Sequence, residues 1–244
     1  MILVLVKLLR RLALPVSVLL AFVLAVIVLG GGDEAARDSG LKTGRLDTGY
    51  DKLPASEQWS EPETGVIPGM TVQRDQHDKR IRRARGFYPG ARGAFQQAAD
   101  AFLRHNSQAL GLSGDLGELR RARAFSSPSS NNVVYDQVYA GRKVFDGWLS
   151  VHMSKSGGVQ LVNSDLVPIA REGDMAFRYS ASQAAEAAVG YSPANSAPKG
   201  QPMVEEGILV QDGVAEGAFR VSFVTSDPPA DWEVSLRASD LSLV

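Results

Sequence analysis

The residues able to do acid, base or metal chemistry are few and poorly arranged for it. There are three histidines, His77, His105 and His152, and no cysteine. The lack of cysteine excludes disulfides, thiolate zinc sites and thiol catalysis together. A zinc protease would need His-Glu-x-x-His, which puts two ligands one helical turn apart with the glutamate as base. Here His77 precedes Asp78, His105 precedes Asn106 and His152 precedes Met153. His105, beside Arg104 in a helical stretch, reads as a solvated helix residue. His152 reads as a half-exposed strand residue beside Trp148 and Ser150. Asp227, Asp231, Glu233 and Asp240 lack the close alternating spacing of a calcium loop. No Lys-Ser or Lys-Thr pair directly follows Gly30-Gly31-Gly32, so that run is not a phosphate cradle. The expectation is a chain with no catalytic, cofactor-binding or metal-ligating residue, and hence not an enzyme.

Composition agrees with a folded, non-nucleic-acid-binding protein. The 244 residues are 44% hydrophobic and 22% charged, with a formal net charge of −1. Nucleic-acid binders carry a strong basic excess, which is missing. The basic run at 79–85 reads first as a solvated face. A protease-sensitive segment comes second, and an acidic-lipid or nucleic-acid contact last.

The N-terminus carries a targeting signal. Lys7, Arg10 and Arg11 precede an uncharged apolar run at 12–29, and Asp33 and Glu34 follow it. The run is close to the roughly 18 residues at which a helix begins to span a bilayer. Positive charge before it keeps the N-terminus inside and sends the remainder across. Two fates stay open for residues 1–32, an uncleaved signal anchor or a cleaved signal peptide. In either case the protein is exported, membrane-anchored on the extracytoplasmic side or secreted. Losing the three leader cations takes the formal charge from −1 to −4. Residues 33–64 are polar, with Pro54 and Pro62, and read as a flexible linker.

Hydrophobic period then locates the elements. Residues 66–87 predict one or two short strands. Residues 91–112 predict a helix: Phe95, Ala98, Ala99, Phe102, Leu103 and Leu110 share one face, and Gly111 is placed for a left-handed stop. Residues 116–123 predict a short strand. The period changes to two over 133–139, 143–154 and 159–167, with short Gly-containing separators, which is the pattern of an antiparallel meander. In the middle strand Phe145, Leu149 and Val151 are assigned to the core and Trp148 to the opposite face. Residues 181–189 predict a short helix capped by Ser180 or Ser182, followed by strands at 203–210, 218–225 and 232–238. The expected fold class is α+β: an N-terminal apolar helix, then two small modules, each with a helix packed on an antiparallel meander.

The segment 132–152 resembles the fungalysin/thermolysin propeptide domain. The resemblance rests on Gln137, two residues before the aromatic Tyr139, then the turn residue Gly141, then Val144-Phe145, then Gly147-Trp148 in an alternating strand. It continues through Gly158-Val159, Val162-Asn163, Leu166 and Pro168, and upstream through the helix with Leu110-Gly111-Leu112. Gln137 is a polar amide among apolar neighbours and requires hydrogen-bond partners. Gly147 within a strand permits a bulge or a close approach. These seven residues are structural or partner-facing. The second unit, with its helix, later strands and Trp232-Glu233-Val234, resembles a PepSY domain in element order. The resemblance implies domains at 65–168 and 169–244. It also implies a partner, a zinc metalloprotease catalytic domain joined in cis or met in trans, which the chain would help to fold and would inhibit. Zinc would belong to that missing domain only. The chain would be a truncated or divergent precursor. The alternative is a membrane-tethered, extracytoplasmic protein-binding module with no protease; neither reading invokes nucleic acid.

Overall fold

The computed structural model describes residues 59–90 and 93–244. The predicted N-terminal helix, and with it the leader at 1–32 and most of the linker, lie outside the described residues. Among the described residues no helix is long and apolar enough to cross a membrane.

Short, well-punctuated strands dominate the chain. Strands β1 (Glu63–Ile67) and β2 (Met70–Arg74) turn on Pro68-Gly69, with Gly69 at φ 74°. This is the positive φ that a type II turn requires. Strand β3 (Ile81–Tyr88) carries the basic run. Then come helices α1 (Phe95–His105) and α2 (Ser107–Leu110), so the apolar stripe read as one helix is two. Gly111 ends the second at φ 70°. Strand β4 (Leu119–Ser126) leads to β5 (Ser130–Tyr139) and β6 (Arg142–Ser154). The β5–β6 link is Ala140-Gly141, both at positive φ, as the twist of a two-residue hairpin demands. Strand β7 (Val159–Ser164) and the short β8 (Arg171–Glu172) follow. Helix α3 (Ala181–Tyr191) precedes the closing strands β9 (Met203–Gln211), β10 (Val214–Ser226) and β11 (Pro229–Arg237).

The expected pair of helix-on-meander modules is not what these elements build. The described residues form one mixed, eleven-stranded sheet with three helices, so the protein is mostly β. Two features account for the correction. First, residues 63–88 supply three strands, and β3 pairs with β7, so the N-terminal half is a seven-stranded antiparallel array in the order β4-β5-β6-β7-β3-β2-β1. Second, β6 is long enough to serve two neighbours along one edge. Its later half pairs with β7 through Leu149–Met153, and near its start Val144 pairs in parallel with Ile208 of β9. That pairing fuses the β9-β10-β11 array, with β8 parallel to β10, onto the first.

Each array has its own core. In the N-terminal lobe Val133, Leu149, Val151 and Val162 face Ala98, Ala99, Phe102 and Leu103 of α1. Tyr135 donates its hydroxyl to Asp100 Oδ1 of α1 at 2.6 Å, and Arg121 reaches Asp100 Oδ2 at 2.6 Å. In the C-terminal lobe Ala184 and Ala188 of α3 meet Phe219, Val221, Phe223 and Trp232. A small third cluster, Val144, Ile208 and Ala215 with Tyr139, Val167 and Ile169, lies where the arrays join.

Candidate functional site

The joint is created by a bulge in β6. Opposite β5, Asp136 pairs with Trp148 and Val138 with Lys143. Two steps along β5 thus span five along β6, and residues 144–147 bow out against Gln137. The bow is held by Asp146 at φ 63° and by Gly147. A Cβ on Gly147 would lie 2.5 Å from Gln137 Oε1 and 2.8 Å from its Cβ, so only glycine fits there.

Over that glycine, Gln137 reaches the chain beyond β7. Its Nε2 donates to the Val167 carbonyl at 2.9 Å, and the Val167 N–H donates to its Oε1 at 2.7 Å. The side-chain amide is therefore a stand-in peptide group that carries the ladder past the bulge. Gln137 is buried, and both its polar atoms are satisfied.

The remaining motif residues grip the second array. Val144 is buried against Ile208 and Ala215. Phe145 is buried, as expected of a core residue, but it lies outside the cluster that holds Leu149 and Val151, because the bulge resets the alternation. Its ring lies over Gly207 of β9, where an added Cβ would come within 2.5 Å of Phe145 Cε1. The Arg220 guanidinium stacks 4.4 Å from the centre of the same ring. Arg220 also makes a two-pronged contact with Asp146, at 3.2 and 2.7 Å, and lies 3.5 Å from Glu233. Around this centre Lys143 pairs with Glu205 at 2.8 Å and Arg142 with Glu206 at 2.9 Å. Arg142 also covers the Phe177 ring at 3.9 Å. Tyr139 donates to Glu172 at 3.2 Å, and burial with that carboxylate raises its pKa.

Six of the seven sequence-selected residues, Gln137, Tyr139, Gly141, Val144, Phe145 and Gly147, thus belong to this hairpin and joint. Trp148 separates from them and lines a groove on the open face of the sheet. The partners Gly207, Arg220 and Val167 were missed. Gly207, a lone glycine in an otherwise regular strand, was the available signal for a close approach.

The groove has a volume of about 710 Å³ and is lined from Phe125 and His152 at one end to Asp146 and Arg220 at the other. Within it Ser150 Oγ lies 3.2 Å from His152 Nε2, and burial lowers the His152 pKa. No carboxylate bonds the other imidazole nitrogen among the described residues, so the pair lacks the third member that orients a hydrolytic triad. Among the described residues no group of three or more His, Asp or Glu side chains is placed to hold a metal ion.

Residues 131–166 match the family model described as the Fungalysin/Thermolysin Propeptide Motif. The matched span runs from β5 through β6 and β7 to just before the Gln137–Val167 bridge. Among solved structures, the C-terminal domain of YpeB from Bacillus megaterium is similar, with 11% identity and a TM-score of 0.35. The likeness covers 71% of this chain and 74% of that one. No curated protein matches the sequence.

Proposed function

We propose that the chain is a non-catalytic propeptide-type module that binds a zinc metalloprotease catalytic domain, in cis or in trans, and acts as its folding chaperone and inhibitor. The observation supporting this reading is the propeptide motif at 131–166, which coincides with the strands that build the joint. The motif's polar and glycine residues are spent on fixing one strand geometry. A surface fixed in advance binds with less ordering cost than a mobile one. It can thereby favour a partner's native state by mass action and cover its cleft. In this reading residues 65–168 form the propeptide-like domain and residues 169–244 a PepSY-like one. Export is through residues 1–32, with the protein anchored or secreted. Zinc belongs to the partner.

The test is refolding. The denatured catalytic domain of a thermolysin-class zinc metalloprotease is diluted with and without the full-length chain, and native protease is assayed with the chain in excess. The expected outcome is a higher refolding yield together with loss of peptidase activity. Unchanged yield and unchanged activity across the zinc metalloproteases of the organism that makes the chain would discard the proposal.

A further inference from the structure

We propose that the groove on the open face of the N-terminal sheet is a binding site for an extended, acidic polypeptide segment. The inference goes beyond the protease reading and does not require it.

Three observations carry it. The first is an unused acceptor. Asn132 is only 5% exposed and lines the groove, its Nδ2 donates to Ser130 Oγ at 3.3 Å, and its Oδ1 has no donor. Buried carbonyl oxygens are ordinarily paired, and a missing donor calls for an explanation. A ligand N–H supplies one as the amide turns toward the groove. The second is an unused cation. Arg123 is exposed on β4, lines the groove, and makes no ion pair or hydrogen bond among the described residues. The other groove cations are engaged, Lys143 by Glu205 and Arg220 by Asp146 and Glu233. The third is apolar surface alongside them: Phe125, 49% exposed, with Val134 and Trp148.

A guanidinium to donate to a carboxylate, an amide oxygen to accept from an N–H, and apolar side chains in one channel match the chemistry of a polypeptide. The register supports the same occupant. Phe125, Asn132 and His152 lie in one cross-strand row, Arg123, Val134 and Ser150 in the next, then Asp136 and Trp148, with Asp146 beyond. Three two-residue steps make about 20 Å, the length of about six residues of extended chain. A polyphosphate or a sulfated glycan, which carries charge on nearly every unit, is disfavoured because Arg123 is the one groove cation without an ion pair among the described residues. A bilayer surface does not enter a concave groove.

The experiment uses the full-length chain in detergent and two fluorescein-labelled peptides, one alternating valine with aspartate and one alternating valine with lysine. Anisotropy should show the acidic peptide binding at least about tenfold more tightly than the basic one, falling as salt rises. Arg123→Glu should weaken it about tenfold and Asn132→Leu about threefold, while Arg104→Glu, on the exposed side of α1, should leave it unchanged. The Arg123 side chain makes no hydrogen bond or ion pair among the described residues, and an unchanged melting curve for its variant shows that the readout is binding alone. Equal affinity for the two peptides, or an Arg123→Glu variant that binds the acidic peptide as well as the parent does, overturns the proposal. So does binding to phosphatidylglycerol vesicles with none to either peptide. None of these readouts involves a protease.

Discussion

The two lobes each lay one helix of 11 residues on a sheet, and they place the bulky side chains on opposite partners. In the N-terminal lobe the helix brings the bulk. Phe102 and Leu103 of α1 drive into a floor of valines and Leu149, and Phe102 meets Tyr88 edge-on at 5.0 Å. In the C-terminal lobe the helix offers the small Ala184 and Ala188, with Ala187 and Val189 at the edge, and the bulk stands on the sheet as Phe219, Phe223 and Trp232. Stability follows the bulk in each case, since buried area sets the gain. The helix that brings little area needs more help at its ends. Accordingly α3 has a full capping box while α1 has no side-chain cap at all. The N-terminal helix is tied instead from its middle, by Asp100 to Tyr135 and Arg121.

The largest break in this comparison should come from Phe102→Ala. The side chain is buried on every side, and such truncations cost about 3–5 kcal/mol through lost transfer energy and the cavity left behind. Chemical denaturation should show that loss with the slope unchanged. A loss below about 1 kcal/mol would mean that α1 is not the main cover of its sheet.

A second cut falls between the lobes. Gln137→Ala removes both hydrogen bonds to Val167 and leaves a peptide N–H and a carbonyl without partners beside the bulge. The expected cost is about 2–3 kcal/mol, smaller than the core truncation because Val167 is only half-buried and water can replace part of the bonding. Amide exchange at Val167 should accelerate together with that at Ile208. Protection retained at both sites would show that the side-chain amide does not hold the joint.

What was legible in the sequence follows from the range of each interaction. The stripe of large apolar residues in α1, the alternation of β5 to β7 and the Gly-containing turns are local signals, and each produces a local element. The joint is not local: Val144 and Ile208 are far apart in the chain, and Gly207 beside Ile208 signals a close approach without saying what approaches. The bulge misled for a related reason. Residues 143–154 alternate without a visible break, yet Asp146 at positive φ shifts the phase and sends Phe145 out of the core row. The basic run at 79–85 reads as a solvated face, and Lys79, Arg83 and Arg85 are indeed exposed. Arg82 is instead largely covered and tied to Asp75, Asp78 and Asp165, and Arg83 stacks on Trp59. Counting charge could not show that, because three of those partners come from other turns and strands. The groove was legible only in Trp148 and His152, since Arg123, Phe125 and Asn132 reach it by cross-strand register.

The smallest effects sharpen the contrast between the helix ends. Ser180 sits before α3 at φ −82°, ψ 161°; its Oγ accepts from the Gln183 N–H at 3.3 Å, and Gln183 Oε1 accepts from the Ser180 N–H at 2.9 Å. Ser180→Ala removes the serine half of that exchange and should cost about 1 kcal/mol. Ala94, before α1, holds a similar extended backbone at φ −63°, ψ 138°, and Gln97 stands at the position corresponding to Gln183. Gln97 Oε1 already lies 3.4 Å from where a side chain on Gly93 would begin, folded back toward the helix start. Ala94→Ser should therefore complete a capping box and raise stability, by about 0.5–1 kcal/mol. Measured side by side as shifts in the thermal midpoint, the two substitutions should have opposite signs. A rise on Ser180→Ala, or a fall on Ala94→Ser, would show that cap chemistry does not separate the two helices and that packing alone decides both.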